Sequence, residues 1–176
     1  MTASDLGLLV LRIAVGLTFA AHGAQKAFGW WNGPGWNGWH NAIGRMGFRP
    51  IGLFTTLSVG AELVGGTLLA LGFLTPAAAG ILAAQSVVII LKVHAPSGFW
   101  NKNSGIEFPL VLGLGAVALG LTGPGAFSLD LLSGFVPSDS VRVALVIAGL
   151  AAGVLTFMLP TEAPRSDSTG PATRPR

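Results

Sequence analysis

A set of polar side chains interrupts the otherwise apolar stretches of this sequence: Arg12, His22, Gln25, Lys26, Glu62, Gln85, Lys92, His94 and Glu107. An ionisable side chain at the centre of a bilayer costs about 2.5–3.5 kcal/mol on insertion scales, so such a residue usually has a partner or a function. Imidazole, ammonium and carboxylate groups can hydrogen-bond a polar ligand and transfer protons. We therefore predict an intramembrane polar pocket formed by Arg12, His22, Lys26, Glu62, His94 and Glu107.

Arg12 and Glu62 are expected to lie deepest in the bilayer. At a rise of about 1.5 Å per helical residue, their depths differ by about 6 Å, which two long side chains can span. We predict that they form an ion pair at the floor of the pocket. Two interpretations of the pair remain open: it neutralises two buried charges for packing alone, or it belongs to a proton or ligand path.

The shallower polar residues come from three different apolar stretches. His22, Lys26, Lys92, His94 and Glu107 all fall within about two helical turns of the same side of the bilayer. Each also has a plain structural interpretation. The lysines can extend to the head groups, the histidines can be interfacial hydrogen-bonding groups, and Glu107 can stabilise a helix N-terminus.

The residue types also limit which cofactors this chain can bind. The absence of cysteine excludes disulfides, thiolate metal sites and iron–sulfur ligation. No HxxxH or ExxH spacing occurs, so we predict no metal site. Haem ligation by His22 and His94 is not expected, because both histidines lie toward the same side. The residues alone leave the cofactor open.

Composition indicates what must position these residues. Of 176 residues, 51% are hydrophobic and only 10% are charged, whereas soluble domains carry about 25% charged residues. This excludes a soluble enzyme and a disordered protein. The basic residues are scattered among apolar runs, so no nucleic-acid partner is expected. The fold class predicted is all-α, a polytopic transmembrane helix bundle in contact with the lipid bilayer.

Apolar runs of about 17–25 residues are long enough to cross a bilayer as helices. We predict spans at about 6–27, 51–74, 77–93, 106–121 and 141–159. The third and fourth runs are short, so a re-entrant or buried helix remains an alternative for them. The first run lacks a basic leader and contains Arg12, which favours a retained helix over a signal peptide. The turn at Thr75–Pro76 is so tight that the second and third spans must be antiparallel neighbours.

The connecting segments suggest an orientation. The first loop, the third loop and the tail share one side, which carries most of the basic residues. The positive-inside rule then places the N-terminus outside and the C-terminus in the cytoplasm of a bacterial inner membrane. The tryptophan-rich loop at 28–50 is either an interfacial aromatic belt or the mouth of a quinone or lipid site. A short amphipathic helix is expected within it at His40–Phe48.

Short motifs, in order along roughly residues 6–132, resemble the DoxX family of small bacterial membrane proteins. They are Leu11–Arg12 with Gly16, His22–Gly23 with Gln25–Lys26, Ala61–Glu62–Leu63 with Gly65–Gly66, Leu71–Gly72–Phe73–Leu74–Thr75, His94 with Gly98–Phe99, Glu107–Phe108–Pro109, Leu121–Thr122–Gly123–Pro124–Gly125 and Ser128–Leu129–Asp130. The resemblance implies a four-helix core at residues 1–132. An additional span at 133–160 and a disordered tail at 161–176 would follow it.

The resemblance also implies a function in a membrane redox complex. Some members resemble the membrane subunit of a thiosulfate:quinone oxidoreductase, and others are linked to complexes of a superoxide dismutase with a sulfur transferase. A chain without cysteine cannot carry persulfide sulfur, so we expect a quinone-linked membrane subunit, with soluble redox proteins or a second copy as partners. In this role His22 or His94 would hydrogen-bond a quinone carbonyl, Lys26 would stabilise the reduced anion, and Glu62 or Glu107 would move protons. The alternatives are a small-solute or proton carrier and a non-catalytic scaffold that docks soluble partners.

Overall fold

The computed structural model describes residues 2–161, which are helical and contain no β-strand. The helices are α1 (Ala3–Phe28), α2 (Gly35–Arg45), α3 (Ile51–Leu71), α4 (Thr75–Ser97), α5 (Glu107–Thr122), the single turn α6 (Leu129–Leu132) and α7 (Asp139–Met158). Four of them, α1, α3, α4 and α7, are long and apolar enough to cross a membrane, and α5 is a shorter apolar helix. The predicted polytopic helical bundle is therefore confirmed. The predicted disordered tail lies outside the described residues, except for its first residue.

Glycines determine how α1 crosses α3. A Cβ atom placed on Gly66 would lie 2.5 Å from the backbone nitrogen of Ala20, and one on Gly16 would lie 2.5 Å from that of Ala70. The two backbones therefore touch, which is the packing that small residues allow between membrane helices. Gly16 lies beside Gly66 and Ala70, whereas Gly23 lies beside Leu63, so the helices are antiparallel.

Helix α4 occupies the middle of the bundle. It packs antiparallel to α5, with Gly113 against Ser86, and parallel to α7, with Gly153 against Ala84. A buried apolar core joins α1, α3, α4 and α5; it contains Val15, Phe19, Leu69, Ala78, Ala79, Leu82, Ala116 and Leu119.

The helix directions bring two loops to the same end of the bundle. The segment between α1 and α3 contains α2 and its tryptophans, and the segment between α4 and α5 follows His94. We call this end of the bundle the tryptophan end. The C-terminus of α7 also lies there. Helix α4 contains a π-helical turn near this end, at Ile90–His94, and α3 contains one near its middle, at Ala61–Gly65. At the opposite end, α3 and α4 are joined by the turn after Leu71, as the sequence predicts.

Candidate functional site

A buried ion pair between α1 and α3 forms the centre of the candidate site. The Lys26 ammonium donates to Glu62 Oε1, and the Glu62 side chain is only 1% exposed. Gln85 Nε2 on α4 donates to the same oxygen at 3.0 Å and to Ser58 Oγ at 2.8 Å. The pair is thus neutral as a unit, and three helices hold it in place.

Helix α2 covers this ion pair from the tryptophan end. The Lys26 Nζ atom lies 4.2 Å from the centre of the Trp39 ring, a distance at which the ring attracts the cation. His40, the next residue along α2, contacts Thr55 Oγ1 through its Nδ1 atom at 3.2 Å and so fastens α2 to α3. The predicted short helix is present, and it spans Gly35–Arg45 rather than 40–48.

A cavity of about 240 Å³ lies beside the ion pair. Its lining comes from α1, α2, α3, α4 and α5 and consists of Phe19, His22, Lys26, Trp39, Glu62, Ser86, Ile89, Val93, His94, Phe108, Pro109 and Leu112. For scale, an engineered apolar cavity of about 150 Å³ binds benzene. The cavity can therefore hold a one- or two-ring aromatic group.

Two residues of the cavity lining each carry a buried polar atom with no hydrogen-bond partner. The atoms are Glu62 Oε2, an acceptor, and Trp39 Nε1, a donor. Buried polar atoms are nearly always hydrogen-bonded, and each exception requires an explanation. A ligand with one hydroxyl and one oxygen acceptor would satisfy both atoms.

The two histidines approach the cavity from α1 and α4. His22 packs edge-on against Phe108, with ring centroids 5.8 Å apart. The Nδ1 atom of His94 lies 2.6 Å from the carbonyl oxygen of Ser104. A carbonyl can only accept, so Nδ1 carries the proton and Nε2 of the neutral ring is an acceptor. The loop carbonyl therefore fixes the tautomer of His94.

The predicted Arg12–Glu62 ion pair is wrong. Arg12 donates instead to the backbone carbonyls of Ala70, Pro124 and Phe127 and is 2% exposed. The glycine crossing is the reason: it places Arg12 beside Ala70, two helical turns beyond Glu62, or about 12 Å along α3. An estimate of depth alone could not give this register.

Arg12 and Asp130 form a separate polar centre at the other end of the bundle. The buried Asp130 carboxylate accepts from the backbone amides of Leu74 and Thr75, at 2.6 Å and 2.8 Å, and the Asp130 amide donates to the carbonyl of Gly72. These bonds tie the segment after α5 to the turn between α3 and α4. This centre satisfies backbone groups and does not line the cavity.

Glu107 also lies outside the cavity lining. As the first residue of α5, it accepts from the backbone amide of Asn101 at 2.9 Å. It therefore orders the loop before α5, and its neighbours Phe108 and Pro109 line the cavity instead. Of the predicted pocket residues, the structure brings together His22, Lys26, Glu62 and His94.

Sequence reasoning did not assign Trp39 or Ser86 individually to the pocket, nor Gln85 to the ion pair that it contacts. Gln85 carried a signal, because an amide within an apolar run needs a partner. Trp39 is one of several tryptophans in its loop, and only the tertiary fold distinguishes it from the exposed Trp36. Among residues 2–161, no group of three or more His, Asp or Glu side chains is arranged to hold a metal ion.

Comparison with known proteins agrees with the fold and the motifs. The sequence profile of the DoxX family matches residues 7–95. A membrane protein of Mycobacterium tuberculosis, itself uncharacterized, is 32% identical over 134 residues, which cover 70% of this chain and 78% of that protein. An uncharacterized protein of Haemophilus influenzae is 30% identical over 133 residues, with 73% and 84% covered. No solved structure matches this chain significantly.

The chain is therefore a multi-pass membrane protein, built as an all-helical bundle with a buried ion pair beside a cavity. It belongs to the DoxX family.

Proposed function

We propose that the cavity beside Lys26 and Glu62 binds the head group of a quinone, and that the protein is the membrane subunit of a quinone-linked redox complex. The observation that carries the proposal is that two residues lining this cavity, Glu62 and Trp39, each hold a buried atom without a partner, Oε2 and Nε1 respectively. A quinol offers a hydroxyl to the first, and its opposite oxygen accepts from the second. The cavity volume and the ring of Phe108 suit an aromatic head group.

A bound quinone would supply two-electron, two-proton chemistry. The protein's own residues would bind and orient the head group and hold protons. Glu62 accepts a hydroxyl proton in a hydrogen bond, and Lys26 compensates the charge of that carboxylate. The Nε2 atom of His94 is a second acceptor, held in place by the bond from Nδ1 to Ser104. Electrons would come from a soluble redox partner.

The carrier alternative receives less support from the arrangement. The Lys26–Glu62 centre and the Arg12–Asp130 centre lie at opposite ends of the bundle. Between them lies the buried apolar core, including Phe19, which offers no polar path from one centre to the other.

Binding of menadione, a tailless naphthoquinone kept in its reduced quinol form under anaerobic conditions, tests the proposal in detergent-solubilised protein by isothermal titration calorimetry. Trp39→Phe removes the indole N–H and keeps an aromatic ring over Lys26. One hydrogen bond is worth about 0.5–1.5 kcal/mol, so the Kd should rise about 2- to 12-fold. Trp36→Phe, an exposed position on the same helix, is the matched control and should leave the Kd unchanged. Absence of menadione binding by the unaltered protein, or equal affinities for both variants, would contradict the proposal.

We also propose that the protein lies in the bacterial inner membrane with its tryptophan end in the cytoplasm. The chain contains no cysteine, so a single introduced cysteine gives an unambiguous readout. In intact cells, an impermeant maleimide should label Ser133→Cys and spare Asn37→Cys. The reverse pattern would require the opposite orientation.

A further inference from the structure

A second, larger cavity follows the outside of the bundle between α2, α3, α4 and α7. This groove has a volume of about 490 Å³, and its lining extends from Phe54 to Leu68 on α3 and from Ile81 to Val93 on α4. At 1.5 Å per residue these stretches are about 18–21 Å long. One leaflet of a bilayer has a hydrocarbon depth of about 15 Å, half of the full core. The groove is therefore long enough to hold a lipid chain that spans one leaflet.

The walls of the groove are mainly apolar. Two polar side chains midway along it, Ser58 and Gln85, are hydrogen-bonded to each other. Gly60 also lines the groove, and a Cβ atom at this position would meet nothing within 4 Å. The middle of the groove is thus open space suited to a hydrocarbon chain.

One cation stands at the tryptophan end of the groove. The Lys92 Nζ atom lies 5.5 Å from the centre of the Phe48 ring and 5.1 Å from that of Phe157. Within residues 2–161 no carboxylate forms an ion pair with Lys92. Its two aromatic contacts hold the ammonium at the rim and leave its charge uncompensated by any described acid.

We propose that this groove binds an acyl chain of an anionic phospholipid, whose phosphate contacts Lys92. An apolar channel of leaflet depth with one cation at the interfacial end complements such a lipid in shape and charge. The groove and the cavity beside Glu62 are adjacent, and Trp39, Ile89 and Val93 line both. The lipid site goes beyond the proposed function and does not depend on it.

Native mass spectrometry of the full chain tests the proposal. Protein released from detergent is titrated with phosphatidylglycerol and with phosphatidylcholine of identical chains. A basic residue near the surface contributes about 1 kcal/mol to attraction of anionic lipid, so the first lipid should bind about 5-fold more tightly. Lys92→Gln should reduce this preference to nearly none. Lys102→Gln, an exposed change in the loop before α5, should preserve it.

A second variant examines the groove itself. Gly60→Leu fills the open space without a backbone clash and should weaken binding of both lipids at least several-fold, while menadione binding in the other cavity stays the same. Gel filtration and helical content establish that each variant is folded. The proposal is overturned if Lys92→Gln keeps the preference for phosphatidylglycerol, or if Gly60→Leu binds both lipids as the unaltered protein does. Equal competition by glycerol phosphate would also overturn it, because that result indicates a phosphate site without a chain site.

Discussion

The buried ion pair between Lys26 and Glu62 leads to a prediction about stability. Glu62→Gln keeps the shape of the side chain but leaves the Lys26 ammonium, which is 12% exposed, without its counter-charge. Removing one partner of a buried pair costs about 3–5 kcal/mol, because an uncompensated charge remains in a medium of low polarity. We expect this loss in the free energy of unfolding, measured by titration with sodium dodecyl sulfate in mixed micelles and followed by circular dichroism.

A double-mutant cycle assigns the partner of Glu62. Lys26→Met combined with Glu62→Gln removes both charges and should recover part of the stability, with a coupling energy of about 2 kcal/mol, within the range for residues in contact. The matched cycle combines Arg12→Lys with Glu62→Gln. These residues share no contact, so their effects should add to within about 0.5 kcal/mol. Additive effects for Lys26 and Glu62, or strong coupling between Arg12 and Glu62, would refute the register described above.

Three further predictions concern single contacts. Asp130→Asn weakens two charge-assisted hydrogen bonds to the start of α4, each worth about 1.5–3 kcal/mol, so the free energy of unfolding should fall clearly. The exposed Asp139→Asn is the control and should change the free energy of unfolding by no more than about 1 kcal/mol. Equal effects of the two substitutions would contradict the structural role of Asp130. Gly66→Ala places a Cβ atom against α1 and should destabilise by about 1–3 kcal/mol. Gly52→Ala, where nothing lies within 4 Å, should be neutral or stabilising, and equal unfolding curves for the two would contradict the close helix crossing. Glu107→Gln should leave the menadione Kd unchanged in calorimetry, because this side chain lies outside the cavity. A 10-fold or larger rise in the Kd would indicate that Glu107 contacts the ligand.

The helices of this fold are largely readable from the sequence. Runs of apolar residues give the segments that cross the membrane, and the tight turn at Thr75–Pro76 gives the antiparallel pairing of α3 and α4. These features depend on local composition and chain length, which a sequence displays directly. Helix α2 is readable only in part, because the sequence predicts a short helix at 40–48 and the structure has it at Gly35–Arg45.

The register between helices cannot be predicted from local composition and chain length. Arg12 and Glu62 have similar expected depths, but contact depends on where α1 and α3 cross. The crossing depends on which glycines face one another. Gly16 and Gly66 belong to the motifs quoted above, but those motifs do not indicate that the two glycines pack against each other's helix. Lys26 is therefore the partner of Glu62, and Arg12 is hydrogen-bonded to carbonyls.

The cavity lining shows the same limitation. His22 and His94 are predicted for the pocket because both lie within about two helical turns of the same side of the bilayer. The sequence does not distinguish Trp39 from the other tryptophans of its segment. Its buried, unpartnered nitrogen results from how α2 packs over α1. A side chain that acquires its role through packing gives no signal in composition or spacing.

The central claim is that a quinone head group occupies the cavity between Trp39 and Glu62. Photo-crosslinking with an azido-naphthoquinone, followed by mass spectrometric mapping of the labelled peptides, tests it most directly. The label should fall on residues that line this cavity and not the groove, such as His22, His94 or Phe108, and excess menadione should abolish it. Labelling of the groove at Leu68 or Ile81, or labelling that menadione does not compete, would contradict the claim.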